Sequence, residues 1–321
     1  MRPFRFTAQV PDLSGSVAEW RDAIRRVEDM GFSTLALADH FTGGYTMEPL
    51  TTLAAASAAT SLRLQTAVLG VDYRHPVLLH RMVATLDAVS NGRVELGIGA
   101  GWMRSDYDAA GMTMDRPGVR IERLEETVTV FKLLCGDEAV TFKGEYVTID
   151  GLVGVPAVVQ RPHPPILIGG GGERMLRLAG RQGDIVGINA NLAAGDIGAH
   201  SVLDVSWEKM AEKVEWARHG AKQSGRRFDE IELSMAQWLL HINDSKSECD
   251  AVLDKLAGRV GVDRAWLEAA PGVLVGSVGR VVEKLYELRE RLGISYVQVH
   301  AGPRGIDLEP VAPVIAALAG K

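Results

Sequence analysis

Two cysteines in 321 residues, Cys135 and Cys249, are too few for a disulfide framework or a cysteine-based zinc site. They read as two ordinary thiols. Long apolar runs are missing as well. Stretches such as Leu35–Ala38 and Val94–Ala100 fall far short of the roughly 18 residues that cross a bilayer. Basic charge is in the minority: 35 Lys and Arg against 41 Asp and Glu leave a net charge of −6. A nucleic-acid partner normally needs the opposite sign. The opening Met1-Arg2-Pro3-Phe4 lacks the basic stretch, apolar core and cleavage site of a secretion signal. These absences predict a cytoplasmic protein that handles a small molecule, with no membrane or nucleic acid as partner.

Glycine is abundant. There are 35, about 11% of the chain, against an average near 7%. Where they fall depends on the arrangement of the elements. Short runs rich in Val, Ile, Leu and Ala occur at Phe4–Gln9, Thr34–Ala38, Leu62–Leu69, Val94–Ala100, Pro165–Gly169, Asp184–Ile188, Ile231–Leu240 and Ile294–His300. Their lack of clean alternation suits parallel strands covered on both faces. Amphipathic or helix-forming stretches follow: Ser14–Met30, Pro49–Thr60, Pro76–Ser90, Gly118–Cys135, Glu173–Gln182, Asp204–Ser224, Gly279–Leu292 and Leu308–Leu318. Eight strand-then-helix units predict an α/β fold, a (β/α)8 TIM barrel over residues 1–321 as one domain. A doubly wound open sheet is the alternative. Residues 103–164 are too long for a simple unit and read as an insertion. They include an alternating stretch, Val140–Ile149, expected to turn at Lys143-Gly144. Asn243–Ser277 holds an extra helical piece.

Barrels of this kind place their chemistry at the C-terminal ends of strands. Asp39-His40 follows the second strand directly, where a histidine can move a proton near neutral pH. Gly97, Gly99 and Gly101 lie along the fourth strand and its end. They suit either a flat ligand or close barrel packing. Gly169-Gly170-Gly171-Gly172 joins the fifth strand to the helix opening at Glu173. Exposed amides at a helix N-terminus make a site for an anion such as phosphate. No Lys-Ser/Thr follows, so this is not a Walker loop. Arg74 and His75 read as loop-holding residues. Trp238, with Gln237 and Met235, lies on the seventh strand, and His300 ends the last one. No nucleophilic triad and no metal-ligand spacing emerge. A phosphate cradle, small residues for a flat ring and one histidine point to a cofactor that brings its own reactivity.

Several blocks resemble the bacterial luciferase-like flavin and deazaflavin oxidoreductases. They are Ala38-Asp39-His40, Tyr73–His80, Ala84–Trp102, Pro164–Gly172 and Ala179–Val186. Within that family the likeness is strongest to the branch using coenzyme F420. The resemblance implies a (β/α)8 barrel with an insertion, commonly a homodimer. It implies a non-proline cis peptide at Ala67-Val68 in a bulged strand behind the cofactor ring. Leu69 and Gly70 would contact the ring by backbone, with Asp39 and the catalytic His40 beside it. Ala100, Gly101 and Ser105 would line the ring and its side chain. Gly170, Gly171, Gly172 and Glu173 would hold the phosphate.

One departure bears on substrate. The F420-dependent sugar-phosphate dehydrogenases of this family carry a glutamate where this chain has Trp102. They also carry a tryptophan where it has Gly43-Gly44-Tyr45. Tyr45, Trp102, Trp238 and His300 are therefore expected to form a more apolar or aromatic substrate pocket. The expected activity is hydride transfer between the deazaflavin and a small organic substrate. The alternatives are an FMN-dependent monooxygenase served by a separate flavin reductase, and a non-catalytic protein that binds flavin or deazaflavin.

Overall fold

The computed structural model describes residues 1–193, 195, 198–299 and 307–321. The chain opens with β1 (Arg5–Gln9), α1 (Val17–Asp29), β2 (Thr34–Leu37), α2 (Pro49–Ser57), β3 (Arg63–Thr66), β4 (Leu69–Gly70), α3 (Pro76–Val89) and β5 (Val94–Gly99). The insertion carries α4 (Arg104–Ala110), α5 (Pro117–Leu134) and a hairpin of β6 (Val140–Lys143) and β7 (Thr148–Leu152). Next come β8 (Ile166–Gly170), α6 (Glu173–Gln182), β9 (Ile185–Ile188), α7 (Ala199–Leu203), α8 (Trp207–Gln223), β10 (Glu232–Ala236) and β11 (Leu239–Ile242). The chain closes with α9 (Lys246–Val260), α10 (Arg264–Ala269), β12 (Val273–Gly276), α11 (Val278–Leu292), β13 (Ile294–Val299) and α12 (Ala312–Leu318).

Eight parallel strands close on themselves. The ring runs β1, β2, β3, β5, β8, β9, β10 and β13, which returns to β1. Every residue of β2, β5, β9 and β13 is buried, as the unbroken apolar runs imply. The expected barrel is present and the open sheet is excluded by this closure.

Each departure from the sequence reading has a local cause. The first helix is capped at Ser16, whose hydroxyl accepts from the Glu19 amide while the Glu19 carboxylate accepts from the Ser16 amide. It therefore starts later than Ser14. The third strand is two pieces, since Ala67-Val68 is a cis peptide between β3 and β4. The seventh strand is also two pieces. β10 stays in the barrel, whereas β11 leaves it and pairs in parallel with β12. The extra segment before the eighth unit thus holds two helices, α9 and α10, and β12, which with β11 makes a second, two-stranded sheet. The glycine turn is shorter than expected, because Gly169 and Gly170 extend β8 and only Gly171 and Gly172 connect it to α6. The hairpin runs on to Leu152. Asp204 does not start a helix. It follows α7, and Ser206 caps α8. Cys135 and Cys249 are both buried free thiols, and burial pushes Cys135 up to about 12.

At the N-terminal end of the barrel the Glu95 carboxylate, 1% exposed, accepts from Arg5 Nη1 at 2.7 Å, Arg63 Nε at 2.5 Å, Gln65 Nε2 at 2.9 Å and the Tyr296 hydroxyl at 2.9 Å. Arg5 also donates to Glu232 and lies 4.0 Å from the centre of the Tyr296 ring. Burial alone would raise the Glu95 carboxyl. The two guanidinium groups outweigh it and hold the carboxyl below its ordinary value.

Candidate active site

The opposite end opens into a cavity of about 1010 Å³. That is the upper end of the roughly 300–1,000 Å³ usual for ligand sites. It is enough for a cofactor and a substrate together. Its wall takes in Asp39, His40, Tyr45, Ala67, Val68, Leu69, Gly70, Ala100, Gly101 and Trp102. It also takes in Gly170, Gly171, Gly172, Glu173 and Trp238. These elements come from sequence positions far apart, and the barrel brings them to one mouth. Ser105 is not on the wall. It is exposed, and its hydroxyl meets that of Thr42 at 2.8 Å. His300 lies outside the described residues.

His40 follows β2. Its Nδ1 is 2.7 Å from Asp106 Oδ2, on α4. Asp106 is fully buried, and its other oxygen accepts from the amides of Phe41 at 3.1 Å and Thr42 at 2.9 Å and from the Thr42 hydroxyl at 2.7 Å. Burial would raise this carboxyl. Hydrogen bonds from His40 and Thr42 prevail and hold it below its ordinary value, so it is an anion. An ionised carboxylate can only accept. The Nδ1 position therefore carries the proton, and Nε2 of the neutral ring is a free acceptor. No protein partner occupies Nε2 among the described residues. The Tyr45 ring lies 4.8 Å from the imidazole and the Trp102 ring meets it edge-on at 5.5 Å. Burial, helped by the Asp106 charge, raises the Tyr45 phenol, so it stays protonated.

Asp39 has a different situation. Arg74 grips it with both nitrogens, at 2.5 and 3.1 Å, and the Gly70 amide donates to it at 3.1 Å. Arg74 also donates to Glu48 at 2.8 Å. The Asp39 lone pairs are thus committed to holding the β4 edge and the loop after it. The loop-holding role read for Arg74 is what the structure shows. His75 caps α3, with its side chain accepting from the Val77 amide.

The glycines divide into two groups. A Cβ on Gly97 would lie 1.8 Å from the Thr66 carbonyl oxygen, so this residue serves the close approach of β3 and β5. It is absent from the cavity wall, where Gly99, Gly169 and Gly187, which carry no side chains, make a floor of backbone beside Val68. A Cβ on Gly171 would lie 2.1 Å from the Ala190 carbonyl oxygen. Gly172 caps α6 without any side-chain partner, and among the described residues no carbonyl accepts from the amides of Gly171 or Gly172. Unpaired amides at a helix N-terminus, with no bulk in front of them, fit a phosphate. The floor fits a flat ring.

Two residues escaped the sequence reading. Asp106 sits in the stretch Met103–Pro117, which carried no signal, and Arg120 sits in the helix read at Gly118–Cys135, to which no role was given. Arg120 is buried on the cavity wall and donates to the carbonyls of Ala100 and Gly101. It thereby fixes the loop after β5.

A parallel barrel with a mouth sized for a cofactor, and a proton-accepting imidazole in its wall, defines a cofactor-binding barrel of the enzyme type. The family model described as luciferase-like monooxygenase matches residues 3–296, and the chain belongs to that family. It is similar to an F420-dependent glucose-6-phosphate dehydrogenase of Nakamurella multipartita, 30% identical over 242 residues that cover 73% of this chain and 66% of that one. The chain spans about half to two thirds of the length of the curated relatives it matches. Among solved structures it is similar to the coenzyme F420-dependent tetrahydromethanopterin reductase of Methanopyrus kandleri, with a TM-score of 0.76, 21% identity and coverage of 98% and 97% of the two chains. It is similar to monooxygenase RslO1 from Streptomyces bottropensis as well, with a TM-score of 0.76, 22% identity and coverage of 97% and 96%. At these identities the solved structures share its fold. No described helix is long and apolar enough to cross a membrane.

Proposed function

We propose that the protein is an oxidoreductase that uses coenzyme F420 and moves hydride between the deazaflavin ring and a small organic substrate. The observation that carries this reading is the His40–Asp106 pair on the wall of a cavity whose floor and amides fit a flat, phosphorylated cofactor. Relatives named as F420-dependent, at 30–33% identity, support the choice of cofactor. Gly171, Gly172 and Glu173 would hold the phosphate by their amides. Leu69, Gly70, Gly99 and Ala100 would lie against the ring, and Val68 behind it. Bound there, a deazaflavin supplies hydride exchange at a ring carbon.

The chain itself supplies position and a proton. His40 Nε2 takes a proton from a substrate hydroxyl or returns one to a carbonyl oxygen, and Asp106 stabilises the imidazolium that forms. Such positioned acid–base catalysis contributes roughly 10²–10⁴ in rate. Tyr45 and Trp102 put aromatic surface beside the imidazole. They favour an apolar or aromatic substrate over a sugar phosphate. A homodimer is the assembly this reading carries.

The test is a fluorescence titration of the purified protein with F420 and, in parallel, with FMN. Saturable F420 binding is expected, with His40→Ala leaving that affinity nearly intact and depressing turnover. Tight FMN binding with no F420 response overturns the reading. It would favour the second one, an FMN-dependent monooxygenase fed by a separate reductase, which the shared fold with monooxygenase RslO1 supports.

A further inference from the structure

Beyond the glycines, the lining of the cavity extends to α9, α10 and β12, where β11 has left the eight-stranded ring. This apolar chamber is lined by Val202, Leu256, Val260, Leu267 and Val273, which cluster with Trp238. Trp238 is seated there by Gly272, where a Cβ would lie 2.8 Å from the indole Cδ1.

The charged groups on the cavity wall are nearly all accounted for. Asp39 is held by Arg74, Glu173 pairs with Arg177, and Arg174 donates to Glu122. Arg120 donates to two carbonyl oxygens. Arg259 differs in being exposed: it stands on the lining in the last turn of α9 with its residue open to solvent, and among the described residues no carboxylate or carbonyl accepts from it. A cation suits a helix C-terminus for its own sake, but only by a fraction of a kcal/mol. What the structure adds is the juxtaposition of a solvated cation with the apolar lining formed by Leu256, Val260, Leu267 and Val273.

We propose that the substrate is an amphiphilic organic acid, with its apolar or aromatic body in this chamber and its carboxylate on Arg259. The proposal rests on the oxidoreductase reading above for the reacting end, which would face His40. A planar guanidinium matches a carboxylate with two parallel hydrogen bonds. The apolar wall selects against a sugar, whose hydroxyl groups would find no partners there.

The test is binding without cofactor. 3-Phenylpropionate and its uncharged match, 3-phenylpropanol, are titrated against the protein, following Trp238 fluorescence and heat. The acid is expected to bind about two- to fivefold more tightly than the alcohol, the range of a solvent-exposed ion pair. Arg259→Gln should abolish that preference, and Arg259→Lys should restore part of it. F420 titrations of the same variants should match the wild type. Equal binding of acid and alcohol overturns the proposal, as does an acid preference that survives in Arg259→Gln. A variant that loses F420 affinity and keeps the acid preference overturns it too, and assigns the cation to the cofactor. Loss of all F420 response in the wild type overturns the oxidoreductase reading alone, since acid binding is measured without it.

Discussion

The two ends of the barrel use charge in opposite ways. At the N-terminal end, Glu95 and Glu232 are matched by Arg5 and Arg63, with Gln65 and Tyr296 filling the remaining bonds. Every strong group there faces another protein group. At the C-terminal end, Asp106 is as buried as Glu95, yet its partner His40 keeps one nitrogen without a partner among the described residues. The same holds for the amides of Gly171 and Gly172. A buried carboxylate is thus a plug in one place and an orienting group in the other. The difference lies in whether its partner still has a lone pair facing open space.

This contrast can be broken by substitutions at each end. The largest effect is expected from Asp106→Asn. Its carbonyl would keep the bonds from Phe41 and Thr42 and turn the amide toward His40, forcing the proton onto Nε2. Turnover should fall roughly 10²–10⁴-fold, with cofactor affinity little changed. Steady-state kinetics that stay within threefold of wild type would remove the pair from the mechanism. Glu95→Ala should do the reverse. It leaves Arg63 without its carboxylate and Arg5 with Glu232 alone, and should cost about 3–5 kcal/mol of folding stability in a urea melt. The turnover of the folded fraction should hold.

Two glycine substitutions sharpen the contrast. Gly171→Ala should weaken cofactor binding by about 1–3 kcal/mol, because the new methyl collides with Ala190 and moves the amides. Gly97→Ala should instead lower stability by a similar amount. If Gly97→Ala weakens binding and spares stability, the division of the glycines is wrong. A smaller effect concerns acid. Glu95 has its carboxyl lowered on folding, so the unfolded chain takes up the proton first. Its stabilising contribution is complete above about pH 4.3 and is lost as the pH falls below that. Glu95→Gln should flatten this part of the acid unfolding curve, as read by circular dichroism. The smallest effect is a control at neither end. Arg227→Ala removes an exposed pair with Asp229 and should change neither melting temperature nor turnover.

Much of the barrel was legible because a buried parallel strand must be apolar on both faces, and such runs stand out between amphipathic helices. His40 and the residues of the glycine turn were legible by place, since strand ends in a barrel are where chemistry collects. Asp106 was not. It is 66 positions from His40, and a carboxylate in a short polar segment looks the same whether it ends up on the surface or buried against an imidazole. The exit of β11 was hidden for a related reason. Ile231–Leu240 is one apolar run, and nothing in its composition marks where it stops pairing with the barrel.

By itself the sequence determined the class of fold, the strand ends that carry His40 and Gly171, and the lack of cysteine, long apolar segments or basic charge that would have pointed elsewhere. These depend on local composition and period, which neighbouring residues settle among themselves. Only the tertiary structure decided which nitrogen of His40 faces Asp106, that Arg74 occupies Asp39, that Gly97 serves packing, and that Arg259 stands beside an apolar chamber. Each of these is a contact between distant parts of the chain, and such a contact exists only once the barrel has closed.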